Sequence, residues 1–148
     1  MFSHGNTTGG RLNAEKLKAA VELLVPTGDQ KYAMVVKSLL PDIAEYFGQS
    51  AVMAIHAMPY MDKKYTSTMA KLVKEYRQQY TQMTSNNPYG VLITEGGWAG
   101  NGTILNMAIA NYFLHKTYPD IFDAELVITA LNYLYGPILI QTSHLYPT

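Results

Sequence analysis

A chain of 148 residues with eleven basic and eleven acidic side chains has the size of one domain and no net charge. That balance argues against a strongly basic nucleic-acid surface and a polybasic membrane patch, and no apolar run approaches transmembrane length. The absence of cysteine removes disulfides, thiolate zinc sites and cysteine nucleophiles from consideration.

Residues 1–10, with two Thr and three Gly, lack the apolar run of a signal peptide and read as a flexible lead-in. The helical period then dominates. Asn13 can cap a helix near 14–24, with Leu17, Ala20, Val21 and Leu24 on one face and Pro26 and Gly28 ending it. Thr27 and Gln30 have capping-box spacing for a second helix near 28–39, whose stripe is Tyr32, Val35, Val36 and Leu39. Pro41 suits the first turn of a short third helix that Gly48 ends, and a fourth near 49–58 stops before Pro59. A longer helix, about 66–83, aligns Met69, Leu72, Val73, Tyr76, Tyr80 and Met83 and leaves Lys71, Lys74 and Arg77 on a solvated face.

Residues 86–102 interrupt this pattern. They hold five of the eleven glycines and the only tryptophan. Connections of that length are uncommon and usually functional. Val91–Thr94 could form a short extended piece within it. Two more helices follow: one near 103–116, with Leu105, Ala108, Ile109 and Tyr112 in register, and one near 121–135, burying Val127, Ala130, Leu131 and Leu134 and closed by Gly136. Helix, short turn, helix repeated through the chain predicts an all-α fold of stacked antiparallel αα-hairpins.

Tested against chemistry, most constellations fail. There is no nucleophile elbow, no His-Glu-x-x-His and no phosphate-binding glycine motif preceded by a strand. The four histidines, His4, His56, His115 and His144, have no ligand spacing, so no metal and no cofactor is expected. His56 lies among apolar residues and reads as a hydrogen-bonded core histidine. Asp120 and Asp123 read as helix caps. Glu95 is the one acid in the long loop, and it reads as a solvated carboxylate unless a second acid faces it. Trp98 can either stack on the C–H face of a sugar ring, with Asn101 offering amide hydrogen bonds to hydroxyls, or plug the end of the helical core.

Three stretches together resemble a known family. They are Asn87-Pro88-Tyr89-Gly90-Val91, then Gly96-Gly97-Trp98-Ala99-Gly100-Asn101-Gly102, then Leu131-Asn132-Tyr133-Leu134-Tyr135-Gly136. Their order and spacing resemble glycoside hydrolase family 9, the cellulases and related β-glycosidases, across roughly residues 11–136. Residues 51–62, with Ala-Met-Pro-Tyr-Met, are similar to the part that precedes these in some bacterial members. The resemblance implies part of an (α/α)₆ toroid with substrate in a cleft at its loop end. It implies inverting hydrolysis of β-linked glucan or a related oligosaccharide, in a parent secreted or periplasmic. Trp98, Asn101, Tyr89 and Glu95 would then be substrate-binding residues. The family's aspartate pair lies before the matching region and its glutamate after it, so no catalytic residue is carried over and the chain alone is expected to be inactive. A partial toroid leaves helix faces uncovered, which implies self-association. The alternative is a non-catalytic all-α interaction domain. Residues 137–148 depart from the family pattern and suggest a frameshifted, non-family tail. Sequencing the encoding DNA checks this: a single-base shift should restore a family-like reading after Gly136, and if none does, the tail has another origin.

Overall fold

The structure, a computed structural model, describes residues 11–85, 88–91 and 101–135. The lead-in at 1–10, residues 92–94 of the extended piece, Gly136 and the tail lie outside the described residues. All regular structure among the described residues is helical: α1 (Leu12–Thr27), α2 (Gln30–Ser38), α3 (Leu40–Glu45), α4 (Phe47–Ala57), a 3₁₀ turn (Met58–Tyr60), α5 (Lys63–Ser85), α6 (Asn101–Thr117) and α7 (Glu125–Tyr135). The all-α expectation therefore holds. The chain divides into two compact units, Met1–Met69 and Ala70–Thr148, with α5 running from one into the other.

In the first unit α1 packs on α2 and α4, and α3 on α4. The face expected of α1 is the one buried: Leu17, Ala20, Val21 and Leu24. Gly28 ends α1 in the left-handed conformation at φ +63°, and its amide donates to the Leu24 carbonyl at 2.8 Å. Pro26 sits in the last turn, where the bond it cannot make is at the exposed end of the helix.

The caps differ from expectation in physically simple ways. Arg11, not Asn13, precedes α1; Asn13 is helical and its amide donates to Asp42, which also pairs with Arg11. Thr27 remains in α1, where its hydroxyl donates to the Leu23 carbonyl one turn back. Asp29, left extended after Gly28, caps α2 instead by accepting from the Lys31 amide at 2.9 Å. Gly48 does not end α3. The break is the single residue Tyr46, and the chain re-enters helix at Phe47, whose side chain is buried. His56 is exposed rather than core, because α4 buries the opposite side with Ala51, Ala54 and Ile55.

Asp62 starts α5. One carboxylate oxygen accepts from the Tyr65 amide at 2.9 Å, and the other takes Lys37 at 2.7 Å. Tyr65 is buried, and its hydroxyl donates to the Ala54 carbonyl at 3.1 Å, tying the first turn of α5 to α4.

In the second unit α6 packs on α7. Phe122, fully buried in the connection between them, stacks on Tyr76 at 6.0 Å and meets Tyr80 edge-on at 6.2 Å. Side chains also hold that connection: Arg77 Nε donates to the Ile121 carbonyl, and His115 Nδ1 to that of Phe122 at 2.7 Å. A carbonyl only accepts, so His115 carries its proton on Nδ1. The Ala124 carbonyl accepts from the Val127 and Ile128 amides at the start of α7. The buried face of α5 includes Met69, Val73, Tyr76 and Tyr80 as expected, but Met83, one turn from its end, is exposed.

The face of α6 is rotated from the expected one. Ile104, Met107, Ala108, Asn111 and Leu114 are buried, whereas Leu105, Ile109 and Tyr112 remain 41%, 43% and 50% exposed.

The Asp62 geometry has a pH consequence. Its hydrogen bond with Lys37, then that with the Tyr65 amide, hold its carboxyl below the ordinary 3.8. A depressed carboxylate contributes stability that is present above the unfolded value and is lost as pH falls through the folded one. Asp62→Asn keeps a capping oxygen but not the charge. Urea midpoints measured from pH 6 down to pH 2 should fall less steeply in this variant than in the parent; equal slopes would remove Asp62 from the acid response.

Candidate functional site

The site is built where the chain leaves the long loop's start and meets α7. Pro88 and Tyr89 form a turn, and Gly90 follows at φ +62°. Side chains rarely adopt that conformation, so the position calls for glycine even though a Cβ there would meet only Thr129 Cγ2, at an ordinary 3.5 Å. The reversal sends the flanking residues opposite ways. Val91 is fully buried with Ile104, Ala108 and Ala130, with Leu131 and Leu134 packed alongside. Tyr89 stays 62% exposed and meets Tyr133 edge-on, ring centroids 5.6 Å apart.

Around these two rings lies an open groove of about 240 Å³ lined by Tyr89, Thr129, Asn132 and Tyr133. Thr129, Asn132 and Tyr133 stand at i, i+3 and i+4, so α7 presents all three on one side. Asn132 Oδ1 is buried and has no hydrogen-bond partner among the described residues. The four lining side chains include no acid, base or imidazole. These described side chains offer aromatic surface and neutral polar groups. No cluster of three metal-ligating side chains occurs among the described residues. No described helix is long and apolar enough to cross a membrane.

Of the residues expected to bind substrate, Tyr89 is the one whose side chain is described, and it lies in the groove. Trp98 and Glu95 lie outside the described residues; Asn101 opens α6, and its side chain lies outside them as well. No protein-family model, curated protein or solved structure matches the chain. Thr129, Asn132 and Tyr133 were not expected as site residues. The available signal was a polar and aromatic patch at helical spacing on the otherwise apolar α7.

A second polar group lies in the interior. Asn111 and Tyr80 are both within 1% of fully buried, and the Asn111 amide donates to the Tyr80 hydroxyl at 3.1 Å. Asn111 Oδ1 has no partner among the described residues. Burial raises the Tyr80 phenol above its ordinary value, and burial pushes that of Tyr76 up to about 12. These groups stay neutral at physiological pH and act as packing.

A buried polar pair is costly when half of it is removed. Asn111→Leu should destabilise the chain by about 1–3 kcal/mol, because it strands the Tyr80 hydroxyl. Adding Tyr80→Phe should recover most of that loss. Chemical denaturation of the two single variants and the double variant tests this; simple additivity would show that the two side chains are not coupled.

Proposed function

We propose that this chain is the carbohydrate-binding, non-catalytic part of a family 9-type glycoside hydrolase, carrying about three of the six hairpins of an (α/α)₆ toroid. The observation that carries this reading is the Tyr89–Tyr133 groove, in which one ring from each of two resembling stretches meets the other. A pyranose ring has an apolar C–H face and a rim of hydroxyls. Aromatic rings suit the first, and the Thr129 hydroxyl and Asn132 amide suit the second. Trp98 and Asn101 would extend the same surface in the parent. Hydrolysis needs two carboxylates flanking the bond, and the described lining residues include none. In the parent, the acid and the base would come from elsewhere in the toroid.

The second reading is an all-α interaction domain. It is favoured by the exposed Leu105, Ile109 and Tyr112 on α6.

Titration with cello-oligosaccharides separates the two. On the carbohydrate reading, Tyr133→Ala and Tyr89→Ala should each weaken binding by roughly 2- to 12-fold, the equivalent of an aromatic contact of 0.5–1.5 kcal/mol. Sugar binding should shift the fluorescence of Trp98, the only tryptophan in the chain. No binding of the parent chain at millimolar sugar would sink this reading. Aryl β-glycosides should not be hydrolysed; turnover that disappears in Glu95→Gln would instead make the chain an enzyme.

A further inference from the structure

We infer that the Tyr89–Tyr133 groove takes a protonated amino sugar, with its ammonium group held by Asn132 and Glu125. This rests on the carbohydrate reading above and names the kind of ring that reading leaves open. Asn132 lines the groove, and its buried Oδ1 has no hydrogen-bond partner among the described residues. A carbonyl oxygen only accepts, so the partner it calls for is a donor. Thr129 also lines the groove, and Glu125 stands four residues before it on α7. Residues four apart on a helix have Cβ atoms about 5–6 Å from each other, so Glu125 stands at the end of the groove. It is exposed, is the one charged residue of α7, and has no ion pair among the described residues. The helix dipole already favours an acid in the first turn. The unpaired Asn132 oxygen in the same groove is the independent sign of a ligand.

Donor chemistry and charge select the ligand. An ammonium has three N–H donors and no lone pair, whereas each hydroxyl of a neutral sugar brings lone pairs that need donors of their own. The ammonium can satisfy Asn132 Oδ1 and face the Glu125 carboxylate, and α7 has no base to repel it. The edge-on tyrosine pair adds π surface, which attracts a cation placed over a ring face. The C–H face of the sugar suits the same rings. The Asn132 amide nitrogen and the Thr129 hydroxyl remain for neighbouring sugar hydroxyls. N-acetylation removes the positive charge, and glucan has none.

Titration of the full chain at pH 5.5 with equal-length oligomers of glucosamine, N-acetylglucosamine and glucose tests it. The glucosamine oligomer should bind more tightly than the other two by about 2- to 5-fold, the factor of an exposed cation–π contact. Glu125→Gln should remove that preference, and Glu22→Gln on α1 should keep it. Asn132→Asp, which retains an acceptor and adds charge, should enlarge it. Equal affinity for the three oligomers, still weakened by Tyr133→Ala, overturns the inference and leaves the carbohydrate reading standing. A preference unchanged by both Glu125→Gln and Asn132→Asp also overturns it. So do lysine oligomers bound as tightly as the glucosamine oligomer, because the groove would then read charge without a sugar ring. Absence of binding by all three sugars removes the inference and the carbohydrate reading together.

Discussion

The groove depends on the burial of Val91. Residues 88–91, which follow the 23-residue α5, form no helix or strand of their own, and an apolar side chain placed among Ile104, Ala108 and Ala130 anchors them. Full burial of a valine is worth roughly 1.5–3 kcal/mol, comparable to several surface ion pairs. Once Val91 is seated, the left-handed turn at Gly90 leaves Tyr89 no place but the surface beside Tyr133. One buried methyl pair thus sets where two aromatic rings stand.

The same economy governs the second unit's other connection. Residues between α6 and α7 have no secondary structure of their own, yet Phe122 is fully buried against Tyr76 and Tyr80. The hydrogen bonds from Arg77 and His115 then satisfy the carbonyls of Ile121 and Phe122, which burial of the aromatic ring would otherwise leave partly unpaired. In both places an apolar side chain sets the position and polar groups adapt to it.

Local periodicity made most helices legible, because α1 and α5 each have one clearly apolar stripe and one charged face. It failed on α6 for a definite reason. Apolar residues occupy nearly every turn of that helix on every side, so several stripes fit, and the buried Asn111 weighs against the true one. The capping errors arose because Asn13, Thr27 and Asp29 are all competent caps by composition, and the left-handed turn at Gly28 decides between the last two. His56 was misplaced because its neighbours are apolar in sequence, while in a helix residues three or four apart share a face and immediate neighbours do not. At the site, Tyr89 was legible as part of a short motif. Tyr133, 44 residues later, also lay in a short motif, but nothing local marks its contact with Tyr89, which forms only when α7 docks.

The uncharged stretch of α6 also sets how the molecule answers to its solvent. The Lys37–Asp62 and Arg11–Asp42 pairs weaken as ionic strength screens them. Apolar contact along Leu105, Ile109 and Tyr112 has no counterions to lose, and strongly hydrated salts such as sulfate reinforce it. Rising sulfate therefore loosens the ionic clasps of the first unit while it favours coverage of α6, so one solution variable separates the two kinds of force within a single chain.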